Sequence, residues 1–252
     1  AAMQLARFLP MAVAARIAAA TERPPTGDGE LAPATILFLD VEGFTTLAEA
    51  LPPPRLIALL NEVFEAVVAP IEAHGGVVDQ FIGDAVMATF NLPQAHADHA
   101  AAAVAAALDI QALLATRRFG EGVRLAARIG LNTGIVIGGL VGAGERLAYT
   151  VYGDAVNLAA RLEPLNKEYG TRVLLSEATR LAAGPARYAY RAVGEVRVEA
   201  AVGEARGRHD FGDADRLEPS LPKQPAGGVQ NPQAVSLHLL AADPHENLRS
   251  AR

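Results

Sequence analysis

The feature that most constrains the fold is a pair of short apolar runs separated by one Gly-Asp dipeptide. Residues 77–82 and 85–90 are rich in Val, Ile, Phe and Met, and Gly83 and Asp84 lie between them. Apolar runs of this length around such a dipeptide predict two antiparallel strands joined by a tight turn. The chain is therefore expected to contain a β-hairpin with the carboxylate of Asp84 at its tip.

Strand-like and helix-like patterns alternate along residues 33–212. Short apolar runs predict strands, whereas apolar residues at spacings of three and four predict helices. This alternation, with several strand pairs in hairpins, predicts an α+β or mixed α/β sandwich whose sheet is covered by helices on one face. Further strands are expected at 35–39, 172–175 and 188–198, a second hairpin at 123–132 and 134–140, and helices at 56–73, 97–114, 154–162 and 177–182.

The two ends of the chain differ from this central domain. Residues 1–32 combine an amphipathic stretch with a polar, turn-rich linker, so we expect an N-terminal helical segment followed by a connection. Residues 213–252 hold several Pro and Gly residues with little periodicity, which predicts a mobile tail. The length suits one domain, 33–212, with an extension at each end.

Composition excludes several classes of function. The net charge is −6 and there is no basic run, so the electrostatic footprint of nucleic-acid binding is missing. The chain has no cysteine, which excludes disulfides and thiolate metal sites. The sequence has no uninterrupted run of about 20 apolar residues that would predict a membrane span. We expect a cytoplasmic location, either free or as the cytoplasmic part of a membrane-anchored protein.

A second carboxylate stands at the end of another predicted strand. Asp40 follows the apolar run 35–39, and Gly43 precedes a helix that is expected to start at about Thr45. Backbone N–H groups at a strand end beside a helix start favour phosphate binding. Asp40 would add the hard oxygen ligand that Mg²⁺ prefers. The alternative is an aspartate that caps the following turn and has no other role.

The two aspartates are more informative as a pair than singly. If their strands are neighbours, the carboxylates of Asp40 and Asp84 meet at one edge of the sheet and repel each other unless a cation lies between them. A two-metal site there would clamp a triphosphate and activate an attacking oxygen. Taken alone, a Gly-Asp dipeptide in a hairpin, such as Gly83 and Asp84, is usually only a turn.

A third group of polar residues lies on one predicted helix. Asn157 and Arg161 are four residues apart, so they share a helix face. An amide and a guanidinium placed together are suited to orienting a ribose and to neutralising charge on a phosphate. The alternative is an exposed polar stripe on an amphipathic helix.

Together these segments resemble the class III adenylyl/guanylyl cyclases, over about residues 33–200. The matching motifs are Asp-Val-Glu-Gly-Phe-Thr at 40–45, Ile-Gly-Asp-Ala-Val-Met-Ala at 82–88 and Gly-Asp-Ala-Val-Asn-Leu-Ala-Ala-Arg at 153–161. Residues 128–134 and 165–170 are similar to bacterial members. The resemblance implies a ferredoxin-like or palm-type α+β fold with an antiparallel-rich sheet covered by helices. It also implies a head-to-tail homodimer that converts ATP to cyclic AMP and pyrophosphate.

The resemblance implies a role for each matching residue. Asp40, Asp84 and the Val41 carbonyl would hold two Mg²⁺ or Mn²⁺ ions per active site. Asn157 would fix the ribose, and Arg161 would stabilise charge in the transition state. In the family these two residues come from one protomer and the aspartates come from the other. The β- and γ-phosphates would be bound by the backbone of Glu42, Gly43, Phe44 and Thr45.

Base recognition and phosphate binding depart from the usual family pattern. The position that usually carries Lys is Gln80, and its usual Asp or Thr partner is Thr150, as in the Thr-bearing subgroup. Gln and Thr both donate and accept hydrogen bonds, so they are able to read adenine, with weaker discrimination against guanine. Glu199 stands where a phosphate-binding Lys is common, and Arg197 or Arg206 would be its substitute.

The leading hypothesis is therefore an adenylyl cyclase whose substrate is ATP and whose partner is a second copy of itself. Its regulatory input is expected in an upstream sensor or membrane region outside this chain. The alternatives are a guanylyl or dual-specificity cyclase, and a weakly active or inactive cyclase-like domain that binds nucleotide. A diguanylate cyclase is disfavoured because the Gly-Gly-Asp/Glu-Glu-Phe turn is absent, and a phosphate-loop NTPase because its Gly-Lys-Ser/Thr loop is absent.

Overall fold

One sheet carries the fold. Among the residues that this computed structural model describes, 29–143, 146–198 and 233–240, eight strands form the sheet and five helices accompany it. The strands are β1 Gly29–Val41, β2 Val77–Ile82, β3 Ala85–Phe90, β4 Ala127–Ala143, β5 Arg146–Tyr152, β6 Val173–Ser176, β7 Tyr190–Val198 and β8 Gln233–Leu240. The helices are α1 Phe44–Ala50, α2 Pro53–Ala73, α3 His99–Thr116, α4 Asp154–Tyr169 and α5 Glu177–Ala183.

The sheet is rich in antiparallel pairs, and the predicted α+β class is confirmed. Its strand order is β2-β3-β1-β4-β6-β8-β7, with β5 paired to the far part of β4. The β4–β6 pair is parallel, and the other pairs are antiparallel. Because β3 lies between β2 and β1, the tip of the β2–β3 hairpin is a direct neighbour of the end of β1.

Helices cover both faces of the sheet, so the prediction of helices on a single face is wrong. Leu37 and Leu39 of β1 belong to the core formed with α2 and α3. Ile36, on the other side of the strand, packs in a second core together with Ala159 of α4. A strand that is buried on both faces reads as a continuous apolar run, which is the pattern of residues 34–39.

Strand β4 corrects the predicted second hairpin at 123–140. Instead of turning, β4 runs unbroken through Gly134. It pairs with β1 from Val41 opposite Ala127 to Gly29 opposite Gly139. This long ladder satisfies the backbone hydrogen-bonding groups that a turn would expose, and it therefore prevails over the turn tendency of the Asn-Thr-Gly sequence.

The remaining boundaries lie close to the predicted ones, except that β1 extends beyond 35–39 at both ends, α4 extends beyond residue 162 and β5 is not predicted. The β2–β3 hairpin has the predicted ends. Helix α4 continues past Pro164 to Tyr169 and ends at Gly170, whose φ of 62° is left-handed. The sequence patterns do not predict β5, which lies against the far part of β4 as its hairpin partner.

Strand β8 shows that the predicted tail is not uniform. Residues 233–240 lie in the sheet between β6 and β7, so the expectation of a mobile tail does not hold for this segment. The rest of 213–252 and the predicted N-terminal segment 1–28 lie outside the described residues. Strand β1 starts at Gly29, slightly before the predicted domain start at residue 33.

Helix α3 is the one described helix that is long and apolar enough, by length and composition, to cross a membrane. Half of this stretch is buried within the protein. Ala103, Val104 and Ile110 pack in the core beneath the sheet. These contacts are those of a core helix, so the length and composition of α3 are not evidence for a membrane span.

Candidate active site

The two aspartates predicted as metal ligands are brought together by the β1–β3 pairing. The register runs up to Leu39 opposite Val86, so the following residue, Asp40, lies beside the β2–β3 turn. The backbone N–H of Val41 donates a hydrogen bond to the Asp84 carboxylate. This bond ties the end of β1 to the tip of the hairpin, and the predicted juxtaposition of the two carboxylates is therefore present.

Two glycines allow the chain to turn at this edge. Gly43, with φ of 72°, connects β1 to α1, and Gly83, with φ of 63°, lies in the β2–β3 turn. Both values are left-handed, where a residue with a Cβ is disfavoured by about 1–2 kcal/mol. Gly43 thereby lets the chain turn just after Asp40, and Gly83 lets it turn just before Asp84.

A guanidinium without a predicted role lies between two of the acidic side chains. Arg128 of β4 stands directly opposite Asp40 of β1 in the register. Its Nη2 donates to Asp40 Oδ2 at 2.6 Å, and its Nε donates to Glu163 Oε1 of α4 at 2.8 Å. These side chains are largely buried. We call Asp40, Asp84, Arg128 and Glu163 the acidic cluster.

The acidic cluster contains more carboxylates than cations, and its pKa values reflect this. Burial and then the charge of Asp40 raise the pKa of Asp84, although backbone hydrogen bonds and Arg128 act in the opposite direction. Burial and then Asp40 likewise raise the pKa of Glu163 to about 7, against the lowering effect of Arg128. Ionised carboxylates are therefore crowded here, and one guanidinium does not fully compensate them.

This donor set fits a divalent cation such as Mg²⁺ or Mn²⁺. Mg²⁺ in nucleotide sites typically takes one or two carboxylates and completes its shell with water and substrate phosphates. Asp40 and Asp84 supply that number, and the crowding of negative charge favours a cation between them. Among the described residues, no group of three or more His, Asp or Glu side chains is arranged to hold a metal alone.

The turn predicted to bind phosphates offers fewer available backbone N–H groups than expected. The backbone N–H of Glu42 donates to the Ala126 carbonyl at 2.8 Å, so this amide is held in the sheet. Gly43 is the N-cap of α1. The N–H groups of Phe44 and Thr45 follow in the first helical turn, where a helix offers no internal acceptor. Of the four predicted residues, Gly43, Phe44 and Thr45 remain as candidate phosphate binders.

Asn157 and Arg161 are exposed on α4, whereas Glu163 of the same helix faces the acidic cluster. Side chains two residues apart on an α-helix point about 200° apart, so Arg161 and Glu163 project in different directions. The structure therefore unites the two aspartates and places Asn157 and Arg161 on a separate outward surface. Arg128 and Glu163 were not predicted from the sequence. Glu163 is four residues after the buried Ala159, so the helical period places this charged side chain on the apolar side of α4. Arg128 alternates with the buried Ile129 in β4, so the strand period gives no such signal for it.

The predicted base-binding residues lie on β2 and β5, two strands that contact each other. Gln80 is exposed, and its side-chain amide donates to Met87 Sδ at 3.6 Å. Thr150 is half-buried and is paired with Gly139. Glu199 and Arg206, named in connection with phosphate binding, lie outside the described residues, and Arg197 lies in β7 with its side chain outside them.

A family model for the adenylate and guanylate cyclase catalytic domain matches residues 29–211. The chain belongs to this family. The matched range contains every element from β1 to β7, and thus both acidic turns and α4. The resemblance inferred from the three sequence motifs is confirmed.

Two curated cyclases are similar to more than half of this chain. Adenylate cyclase 1 of Rhizobium meliloti is 42% identical over 148 residues, which are 57% of this chain and 22% of that protein. The adenylate cyclase of Anabaena cylindrica is 39% identical over 147 residues, which are 57% of this chain and 29% of that protein. The cyclase chain therefore spans about a quarter of the length of these relatives.

Solved cyclase structures share the fold. A bacterial light-regulated adenylyl cyclase superposes with a TM-score of 0.71 at 26% identity, covering 95% of this chain and 60% of that one. The guanylyl cyclase Cya2 superposes with a TM-score of 0.62 at 29% identity, covering 86% of this chain and 96% of that one. The chain therefore has the fold of solved cyclase structures.

Proposed function

We propose that this cyclase domain converts ATP to 3′,5′-cyclic AMP and pyrophosphate. The observation that carries the proposal is the acidic cluster, in which Asp40 and Asp84 lie together at the ends of neighbouring strands. Such a pair attracts the divalent cations that accompany a nucleoside triphosphate. The relatives from Rhizobium meliloti and Anabaena cylindrica are named adenylate cyclases, which supports ATP over GTP.

The reaction is a single displacement at phosphorus. The ribose 3′-oxygen attacks the α-phosphorus, its hydroxyl proton passes to water, and the bond from the α-phosphorus to the bridging oxygen breaks. Pyrophosphate leaves with that oxygen, and no bond to the protein forms. The protein therefore acts by positioning and charge stabilisation. Asn157 would orient the ribose, and Arg161 would neutralise charge that develops on the phosphate.

Two Mg²⁺ or Mn²⁺ ions are the cofactors in this proposal, and Asp40, Asp84 and the Val41 carbonyl would hold them. Such ions polarise phosphate oxygens and make the attacking hydroxyl more acidic when bound. Arg128 holds Asp40 in place through its 2.6 Å hydrogen bond and offsets part of the negative charge. The backbone N–H groups from Gly43 to Thr45 would bind the β- and γ-phosphates.

Gln80 and Thr150 are proposed to read the adenine base. Adenine presents a donor at N6 and an acceptor at N1, and an amide and a hydroxyl each provide both kinds of group. The contact between β2 and β5 supports a shared role for these residues. Because neither side chain is limited to donating, we expect ATP to be preferred over GTP without strict exclusion of GTP.

We propose that the active unit is a head-to-tail homodimer with two sites. The outward placement of Asn157 and Arg161, away from the acidic cluster of their own chain, supports this arrangement. In such a dimer the α4 surface of one protomer would lie over the acidic cluster of the other. A two-fold symmetric pairing of this kind builds two identical composite sites.

The test is to incubate the purified protein with ATP or GTP, with Mg²⁺ or Mn²⁺, and to identify the products by mass spectrometry. We expect cyclic AMP from ATP, and a loss of at least about 10³-fold in Asp84→Asn, since that change removes a metal ligand. Asp98→Asn is the matched control, because Asp98 is an exposed acid paired with Arg187. Preferential formation of cyclic GMP, or no cyclic product from the folded dimer with either metal, would overturn the proposal.

A further inference from the structure

Three alternate residues of β4 form the surface on which α4 rests: Gly130, Asn132 and Gly134. A Cβ on Gly130 would lie 2.5 Å from the Glu163 backbone nitrogen and 2.6 Å from the Ala159 carbonyl oxygen. A Cβ on Gly134 would lie 2.7 Å from the Ala155 Cβ. The helix therefore approaches the strand closely at two points, with its backbone at Gly130 and with the Ala155 side chain at Gly134, and a side chain on either glycine would displace it. We call these three β4 residues the α4 seat.

Asn132 supplies the hydrogen bonds of the α4 seat. It is 2% exposed, and its Nδ2 donates to the Ala155 carbonyl at 2.8 Å. Ser176 Oγ donates to Asn132 Oδ1 at 2.6 Å, and this bond determines which end of the amide faces the helix. Both ends are thus engaged, and rotation of the amide would leave buried polar groups unpaired.

Ser176 is itself held by a buried network. It is the N-cap of α5, where its Oγ accepts the Thr179 N–H at 3.3 Å. Thr179 Oγ1 lies 3.2 Å from Ser176 Oγ and accepts a hydrogen bond from Thr133 Oγ1 at 3.1 Å. The contact between Asn132 and α4 therefore belongs to a continuous hydroxyl network, in which each bond restrains the next.

The bonded carbonyl lies at the start of the helix that carries the proposed catalytic side chains. Ala155 is in the first turn of α4, and Asn157 and Arg161 follow within two turns. A helix is rigid over this length, so holding one carbonyl sets the rotation and axial position of the residues that follow. Asn157 and Arg161 are exposed, so the contacts that the buried side of α4 makes determine where these two side chains lie.

We propose that Asn132 is a positioning residue of the cyclase, whose amide fixes the first turn of α4 and thereby places Asn157 and Arg161 for the reaction. This inference rests on the proposed function for the roles of those two side chains. Asn132 acts through α4 and does not touch the substrate. A shift of about 1 Å in a group that contacts the substrate lowers the rate by about 10²-fold, so a small movement of α4 is sufficient.

The first experiment measures backbone hydrogen exchange in Asn132→Leu, which keeps the side-chain volume and removes the amide. We expect amides 157–161 to exchange at least about tenfold faster than in the wild type, because the first turn of α4 loses its anchor. Gln111→Leu is the matched control. Gln111 of α3 is also a buried amide that donates to a β4 carbonyl, that of Ala127, at 2.9 Å. Its effect on amides 157–161 should stay within about threefold.

The second experiment is a kinetic double-mutant cycle with Arg161→Ala. We expect Asn132→Leu alone to lower kcat for ATP by about 10- to 100-fold with KM changed by less than about threefold. In the Arg161→Ala background the same substitution should lower kcat by less than about threefold, because the group that it positions is gone. Gln111→Leu should have the same small effect in both backgrounds.

Two results would overturn the inference: unchanged exchange at amides 157–161, or an equal loss of kcat in both backgrounds. If Asn132→Leu does not fold, Ser176→Ala replaces it, since this change leaves the amide in place but removes its orienting partner. The expected loss of kcat is then about three- to tenfold, with the same dependence on Arg161. If the wild type forms no cyclic nucleotide, the proposed function has failed, and the exchange result alone decides whether Asn132 fixes α4.

Discussion

Replacing Glu163 by Gln should stabilise the metal-free protein at alkaline pH and leave it unchanged in acid. Glu163 is a largely buried member of the acidic cluster, and its pKa is raised to about 7 by burial and by Asp40. Ionisation of Glu163 is therefore unfavourable in the folded state despite the hydrogen bond from Arg128. Gln keeps the shape and an oxygen acceptor for Arg128, and it carries no charge at any pH.

The size of the effect follows from the two pKa values. The difference between about 7 in the folded protein and the ordinary 4.5 corresponds to about 3 kcal/mol. Glu163 retains some solvent contact, so screening reduces the expected gain to about 1–2 kcal/mol. Because the folded pKa is the higher one, the wild type loses this stability as the pH rises from 4.5 through 7, and the Gln variant does not.

The assay is thermal unfolding in EDTA at pH 5 and pH 8. At pH 8 we expect the Tm of Glu163→Gln to exceed that of the wild type by about 3–6 °C, and at pH 5 we expect near equality. Glu168→Gln, an exposed position on the same helix, serves as the control and should change little at either pH. A variant that is less stable than the wild type at pH 8 would refute the reasoning, because the ion pair with Arg128 would then outweigh the burial and repulsion of the carboxylate.

Three further predictions concern packing, assembly and base choice. Gly130→Ala should lower the free energy of unfolding by about 2–3 kcal/mol, because the new Cβ would lie 2.5 and 2.6 Å from backbone atoms of α4, which cannot rotate away. Urea denaturation measures this loss, and an unchanged denaturation midpoint would contradict the prediction. Asp84→Asn and Arg161→Ala protomers should each retain only a small fraction of the activity alone. Mixing them should restore about a quarter of the wild-type activity, since about half of the dimers are mixed and each has one intact site. No recovery after subunit exchange would argue against shared sites. Gln80→Lys should raise the ratio of activity with ATP to activity with GTP by about tenfold. The reason is that an ammonium group only donates hydrogen bonds: N1 of adenine is an acceptor, whereas N1 of guanine carries a proton. An unchanged ratio would exclude contact with the base at this position.

The β2–β3 hairpin and its acidic tip were open to prediction because they depend on neighbouring residues. The apolar runs flanking Gly83 and Asp84 contain both the strand signal and the turn signal within a single stretch of chain. The same holds for α4, whose start and Asn157–Arg161 spacing are local. Two of the three family motifs, 82–88 and 153–161, lie in these segments, and the third follows the apolar run of β1, so the resemblance already indicated the correct fold and family.

Strand β4 and the tail resisted prediction because long-range pairing decides them. The Asn-Thr-Gly sequence at 132–134 has the composition of a turn, yet the full-length ladder with β1 holds it extended. The segment 233–240 follows a stretch rich in Pro and Gly, yet it pairs with β6 and β7. In both cases the partner strand is distant along the chain, and local composition carries no information about it.

What the sequence by itself determined is the inventory of the site: two aspartates at strand ends, a polar pair on one helix and the glycines that let the chain turn. Only the tertiary structure decided how these parts are held. The register of β1 with β4 sets Arg128 opposite Asp40, and the packing of α4 brings Glu163 to the same place. Asn132 reaches Ala155 only because the α4 seat lets the helix approach. The reason is physical: chemical identity is a property of each residue, whereas charge pairing and the pKa values that follow depend on distances that only the assembled sheet and helices establish.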